Sequence, residues 1–382
     1  MKKSTHIYPW DLAACGIEAV VNELAELGIG GINMAATYHP IAALSSRVPG
    51  RLLYCERGAV FFPARAARYG RIKPRVWPDR RVVDVWPDLA AARPAGMRIT
   101  AWTITLFQPW IAAEFPDCAR VLPCGDPVPA GVCPASPDVS EYLVNLAGDL
   151  ADQVPLDALE LEGAAYPRFD SGWVRPRILA RLGAWEKRLL ALCFCTHCKK
   201  LASGDGIDIE ALRARVNAEL SHGFERDDPQ GGEKRYGEWL EQDPEFARFL
   251  TVRRAAVKGM IQSIARAASA APTRPGLAVY EADVREAGGI EGLPVQTFRT
   301  GGRISPRRRE KLCTIKAGNP DLGFKHTLMC GDEHGVPGGS PPLAEVIASL
   351  AGTPVDEVSF YNYGVISRRE LLSALSSVRA LG

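Results

Sequence analysis

Residues 156–163 read Leu-Asp-Ala-Leu-Glu-Leu-Glu-Gly. In an extended strand successive side chains point to opposite faces, so Leu159 and Leu161 share one face and Glu160 and Glu162 the other. If helices cover the leucine face, both glutamates point to the interior of the sheet. A buried carboxylate without partners is costly, so two of them on one inner face require an explanation. One explanation is an ion pair with an interior Arg or Lys. The other is chemistry, and Glu162, last in the strand, is the better placed of the two for it. Glu160, one layer deeper, is read either as such an ion pair or as a group that touches substrate.

Further acids end other apolar runs. Glu281 and Asp283 follow the run 277–280, and Asp332 and Glu333 follow 324–329. Two carboxyl groups facing each other across a pocket are what glycosidic cleavage needs. One protonates the leaving oxygen, and the other attacks the anomeric carbon or activates water. On this reading Glu162 is the acid/base, Glu333 or Asp332 the nucleophile, and Glu281 the reserve. Aromatic residues gather at the same strand ends: Tyr8, Trp10, Tyr38, Trp102, Tyr166, Trp173, Tyr361 and Tyr363. Their faces suit sugar rings and their polar tips suit hydroxyls. They are expected to line a substrate site, with His39 orienting a hydroxyl or moving a proton. Core filling is the competing reading for each aromatic taken singly.

A second centre of chemistry is Cys193-Phe194-Cys195-Thr196-His197-Cys198. Three thiols so close in sequence readily meet one soft divalent ion, and a fourth closes a tetrahedral zinc site. Cys133 and Cys124 are the candidates for that fourth ligand. A four-sulfur site has no open position for water and would be structural. Buried, metal-free thiols are the alternative.

The elements that must hold these residues repeat a strand–helix pattern. Strand-like runs fall at 5–9, 30–35, 98–106, 158–162, 277–281, 295–299, 324–329 and 357–361. Helical spacing recurs at 17–27, 137–153, 244–271, 341–351 and 368–381. Alternation of this kind means parallel strands with crossover helices, and eight units favour a closed (β/α)₈ TIM barrel, an α/β fold. The 382 residues are read as one such domain, 1–382, with insertions at about 36–95 and 204–243. Both insertions follow strands and would overhang the catalytic face. No Gly-x-Gly-x-x-Gly follows a strand and opens a helix, so no dinucleotide and no other organic cofactor is expected.

Composition narrows the function classes. Apolar residues make up 47% and charged residues 24%, and the formal net charge is +2, so neither nucleic acid nor an anionic membrane is an expected partner. The basic runs 71–81 and 303–311 lack the interleaved aromatics of a stacking platform. No run reaches the roughly 18 to 20 apolar residues that span a bilayer. Met1-Lys2-Lys3 is followed by His6, Tyr8, Pro9, Trp10 and Asp11, without the apolar stretch of a signal peptide, so a cytoplasmic protein is expected. Ten cysteines then read as thiols or metal ligands. A homo-oligomer is compatible with all of this.

Cys193-x-Cys195-x-x-Cys198, behind a strand-end glutamate, resembles the zinc cluster of family 42 glycoside hydrolases, the clan of β-galactosidase barrels. Cys133 in Gly131-Val132-Cys133-Pro134 resembles that family's upstream cysteine. Tyr8-Pro9-Trp10-Asp11-Leu12, Ala36-Thr37-Tyr38-His39 and Phe360-Tyr361-Asn362-Tyr363-Gly364 also resemble segments of uncharacterised glycosidase-like barrels. The resemblance implies a (β/α)₈ fold, an acid/base at Glu162, a nucleophile after strand seven and zinc on Cys133, Cys193, Cys195 and Cys198. Leu161 stands where family 42 has the asparagine that holds the substrate's 2-hydroxyl. The leading expectation is a glycoside hydrolase-like enzyme acting on a small carbohydrate or glycoconjugate. The alternatives are a barrel lyase or isomerase on a sugar-like substrate, in which Glu162 and His39 move protons, and a sugar-binding protein without a working carboxylate pair.

Overall fold

The computed structural model of the chain describes residues 1–167, 177–226, 232–330 and 341–380. Eight parallel strands form the barrel: β1 (Lys2–Ile7), β2 (Gly31–Tyr38), β3 (Arg98–Ile104), β4 (Ala158–Glu162), β5 (Gly276–Tyr280), β6 (Thr297–Gly301), β7 (Gly323–Met329) and β8 (Glu357–Tyr361). Each pairs with its neighbours in chain order, and β1 pairs with both β2 and β8, which closes the cylinder. At the β1–β2 seam the backbones approach so closely that a Cβ on Gly31 would lie 2.9 Å from Ser4 Cβ. Only glycine fits that position without a shift.

The first strand runs over Lys2–Ile7, not over 5–9. Tyr8 caps the following helix Pro9–Cys15, and proline opens that helix at its first position, where the missing N–H is no loss. Helix Pro137–Gln153 occupies the span its periodicity predicts. It buries Val139, Leu143, Leu146 and Leu150 in the same core as Leu159 and Leu161 of β4. Helix Pro244–Ser269 adds Val257, Ile261 and Ile264 to that core. The leucine face of β4 is therefore the outer face, and its glutamates enter the barrel.

Between β2 and β3 lies a hairpin of Ile41–Leu44 with Leu52–Cys55. Ala59–Val60 then adds an antiparallel strand to the tip of β2, and helix Val85–Ala92 buries Val85, Trp86 and Leu89. Pro87 in the first turn and the shortness of that helix hide it from periodicity. Within 204–243, helices Ile209–Arg226 and Gly232–Gln242 adjoin a satellite core of Trp185, Leu212, Val216 and Phe246. Among the described residues no helix is long and apolar enough to cross a membrane.

The inside of this barrel is not the usual stack of branched aliphatic side chains. It is a polar network. Lys325 Nζ donates to Asn33 Oδ1 at 2.9 Å, and Asn33 Nδ2 donates to Ser359 Oγ at 2.9 Å and to Ser4 Oγ at 3.1 Å. Ser4 Oγ donates to Glu357 Oε1 at 2.6 Å. A network of this kind is tolerable only because its members satisfy one another.

Candidate active site

Glu160 sits at the top of the network, fully buried. His6 Nε2 donates to its Oε1 at 3.0 Å, Arg299 Nη1 lies 2.6 Å from the same oxygen, and Lys325 pairs with Oε2. Burial alone would push this carboxyl up. Arg299 and Lys325 overcome that and hold it well below the usual carboxylate range. Burial and the Arg299 charge lower His6 to about 4, so its ring is neutral near pH 7. Nε2 then carries the proton, and Nδ1 accepts from Ser359 Oγ at 3.0 Å. The expectation that Glu160 touches substrate is corrected: no surface of it is open, and it belongs to the interior ion-pair cluster.

Glu162, two residues on, reaches the C-terminal mouth, and its side chain is 33% exposed. Trp102 Nε1 donates to its Oε2 at 2.8 Å, and Arg299 Nη1 donates to the same oxygen at 3.1 Å. Oε1 has no hydrogen-bond partner among the described residues. One guanidinium thus ties both glutamates of β4 together. Arg299 is itself held by Nε donating to Thr327 Oγ1 at 2.9 Å and by stacking 3.9 Å over the Tyr280 ring.

Glu162 opens onto a cavity of about 370 Å³, walled by His39, Phe107, Tyr166, Arg253, Tyr280 and Asp283. His39 Nδ1 donates to the Pro40 carbonyl at 2.6 Å, which leaves Nε2 as the acceptor of a ring that burial keeps neutral. Asp283 was not among the expected catalytic acids. It stands in the short helix Glu281–Glu286 after β5, is 5% exposed, and has the backbone N–H groups of Ala164 and Gly163, the residues just past Glu162, near its carboxyl. Burial raises its carboxyl to about 7, against the pull of those N–H groups, and the charge of Glu162 adds to the rise. Its Oδ2 is buried and has no hydrogen-bond partner among the described residues.

The other expected residues divide. Glu162, His39 and Tyr166 come together on the cavity. Glu281 does not: Arg308 Nε donates to it at 2.8 Å, and it is absent from the cavity wall, so its role as reserve catalytic acid is corrected. Tyr363 points away from the mouth, donating to Glu23 Oε2 at 2.6 Å beneath the guanidinium of Arg47. Trp10 is 2% exposed, stacked on Tyr8 and edge-on to Phe61, and fills core. Trp102 is fully buried, so it positions Glu162 and does not meet a sugar. Tyr8 and Tyr38 are also buried. Their hydroxyls converge on Tyr361 OH at 3.1 and 3.0 Å, and Tyr361 alone of the three is partly open. Asp332, Glu333 and Trp173 lie outside the described residues.

The cysteine cluster assembles next to the cavity. The Sγ atoms of Cys133, Cys193, Cys195 and Cys198 all lie within 4.8 Å of one another, and all four residues are buried. Cys133 Sγ is 3.4 Å from Cys198 Sγ and 3.9 Å from Cys193 Sγ. Backbone N–H groups of Val121 and Cys198 donate to Cys193 and Cys195. Tyr166 OH is 3.4 Å from Cys198 Sγ, so one cavity wall leans directly on the cluster. Cys124 is exposed beside Asp126 and takes no part.

No protein-family model matches this chain, and no curated protein does. Solved structures do. An α-L-fucosidase (isoenzyme 2) from Paenibacillus thiaminolyticus aligns over the whole chain and 49% of its own, at 13% identity and TM-score 0.56. A β-galactosidase from Bacillus circulans sp. alkalophilus aligns over the whole chain and 56% of its own, at 12% and 0.56. The catalytic domain of β-amylase from Paenibacillus polymyxa aligns over the whole chain and 98% of its own, at 10% and 0.56. The chain has the barrel fold of these glycoside hydrolases. It spans about half the length of the fucosidase and the galactosidase, and nearly all of the amylase domain. At these identities the likeness is one of fold, and the chemistry must be argued from the site.

Proposed function

We propose that this chain hydrolyses a glycosidic bond in a small saccharide or glycoconjugate, with Glu162 as its essential carboxylate. The observation that carries the reading is the setting of Glu162. A rigid strand end delivers it to the mouth, two donors fix one of its oxygens, and the other is left to a cavity that holds a second carboxyl. Groups on strands and braced by neighbours are the ones a transition state can use, because they need not reorganise during the reaction. The similar folds named above, of an α-L-fucosidase, a β-galactosidase and a β-amylase domain, agree with this reading. A purified sample screened against aryl glycosides of the common sugars should release phenol from at least one of them. Failure on every α- and β-glycoside, with natural oligosaccharides also left intact, would remove the hydrolase reading in favour of sugar binding.

We also propose that the four cysteines hold a structural zinc ion. Tetrahedral zinc with Zn–S bonds of about 2.3 Å has sulfur–sulfur edges of about 3.8 Å. The 3.4 and 3.9 Å separations bracket that value. A zinc ion on four thiolates carries two negative charges. Arg120, wholly buried and without a carboxylate partner among the described residues, interacts electrostatically with Cys193, Cys133 and Cys198. A buried guanidinium in that place fits an anionic cluster. The metal would brace the loop bearing Tyr166 and perform no chemistry on substrate.

A further inference from the structure

We propose, building on the glycosidase reading, that the cavity beside Glu162 takes an acidic sugar and that Arg253 recognises its anionic group, a carboxylate or a sulfate. The substrate class is thereby narrowed from saccharides at large to those that carry a negative charge.

Arg253 comes inward from helix Pro244–Ser269, is 7% exposed, and lines the cavity together with Glu162. Its guanidinium carbon stands 4.1 Å over the Tyr166 ring, and Nη2 donates to the Ala191 carbonyl at 2.9 Å. These two contacts fix its orientation. No carboxylate pairs with it among the described residues. Nε is buried without a partner, so no ligand reaches it. Nη1 has no partner either, yet it is not buried, and it is the edge that the cavity can use. An arginine this enclosed is almost always paired, because a buried charge without a partner is costly. An anion in the cavity supplies the partner, held by a charge-assisted hydrogen bond from Nη1.

The charges around it agree. Arg285, exposed on the helix after β5, lines the same cavity and forms no ion pair among the described residues. Arg303, 66% exposed after the neighbouring strand β6, has only Glu345 at 4.0 Å. Both add positive charge on the β5–β6 side of the mouth. Three acids share the cavity wall. Glu162 has its countercharge in Arg299, Asp283 is 5% exposed, and Glu286 is exposed, where water screens it. The competing role for Arg253 is to balance the cysteine cluster, since Tyr166 beneath it also meets Cys198. Arg120 already lies among those sulfurs, so that role has an occupant.

The test reads binding by titration calorimetry of the full chain with methyl thioglycosides, which resist cleavage. The probes are both anomers of glucuronic and galacturonic acid, of glucose and galactose, and of their 6-sulfates. At least one acidic sugar should bind at least about tenfold more tightly than its neutral parent, the low end for a hydrogen bond to a charged group. The uronide and sulfate arms tell the two anions apart. In Arg253→Gln the acid-to-neutral ratio should fall below about threefold. A wild-type ratio near one for every pair overturns the proposal. So does a ratio that survives in Arg253→Gln while both affinities change together, the outcome expected of an arginine that only balances the cysteine cluster. If Arg253→Gln does not fold, Arg253→Lys takes its place. An ammonium cannot reproduce the planar guanidinium, so the ratio should still drop at least about threefold, and an unchanged ratio overturns the proposal. Because binding is measured, the two readings fail separately. Acid preference without turnover of any glycoside removes the hydrolase reading and leaves this one. Turnover of neutral glycosides without acid preference does the reverse.

Discussion

Replacing Arg299 with methionine is expected to destabilise the fold by about 3 to 5 kcal/mol at pH 7, the usual cost of stripping one partner from a buried ion-pair cluster. Arg299 is 1% exposed and serves Glu160 at 2.6 Å and Glu162 at 3.1 Å. Methionine fills most of the space and removes the charge. Glu160 is then left with Lys325 and a neutral His6 in a fully buried site. The deficit should shrink at lower pH, and the sign follows from His6. In the wild type its folded pKa of about 4 lies below its unfolded value near 6.5, so falling pH costs the native state stability through that window. Without Arg299 the strongest opposing charge is gone, His6 protonates more readily against Glu160, and the cost is relieved. Urea unfolding at pH 7 and pH 5 measures both effects. A variant as stable as the wild type at pH 7 would mean that the interior network does not depend on its guanidinium.

A second large effect is expected at the cysteine cluster. The wild type should carry about one zinc per chain by elemental analysis. Cys198→Ser should lose it, with a loss of stability on the order of 5 kcal/mol or more, since structural zinc binding is itself folding free energy. The effect should spread to the active site, because Tyr166 touches Cys198 Sγ and walls the cavity. Tyrosine fluorescence or NMR shifts near the cavity should therefore change on chelation, even under conditions where the barrel stays folded. A wild type that is metal-free and fully folded, and as stable as the zinc-supplemented protein, would defeat the zinc proposal.

Much of the scaffold is legible along the chain because its causes are local. The Leu-Glu-Leu-Glu alternation of 159–162 sorts outer from inner faces without tertiary knowledge. Pro137 and Pro244 open long helices where sequence places them. The spacing of Cys193, Cys195 and Cys198 announces a cluster; spacing alone leaves Cys133 and Cys124 open as its fourth member, the family resemblance points to Cys133, and the fold brings the Cys133 sulfur to the other three. What stays hidden is decided by long-range packing. Arg299 lies 137 residues from Glu162, and nothing near it in sequence says that it crosses the barrel to β4. Its alternation with Phe298 on β6 is the only local hint. Asp283 sits two residues beyond Glu281, and sequence offers no ground for preferring one to the other. Helix geometry does: it turns Glu281 to Arg308 and Asp283 to the cavity. The aromatic residues show the same limit. The sequence places them at or just beyond strand ends, yet Trp10 and Trp102 pack inward and Tyr363 turns outward, so position along the chain does not fix which rings a substrate could meet.

The central claim is that Glu162 does chemistry on a glycosidic bond, and the most direct test is kcat for the wild type and Glu162→Gln side by side on the best glycoside found by screening. Glutamine keeps the size of the side chain and can still accept from Trp102 and Arg299, so the circular dichroism spectrum and binding of the glycoside should be retained. Turnover should fall by at least about a thousandfold, within the span that a positioned carboxyl supplies. A folded Glu162→Gln protein that turns over at the wild-type rate would contradict the account.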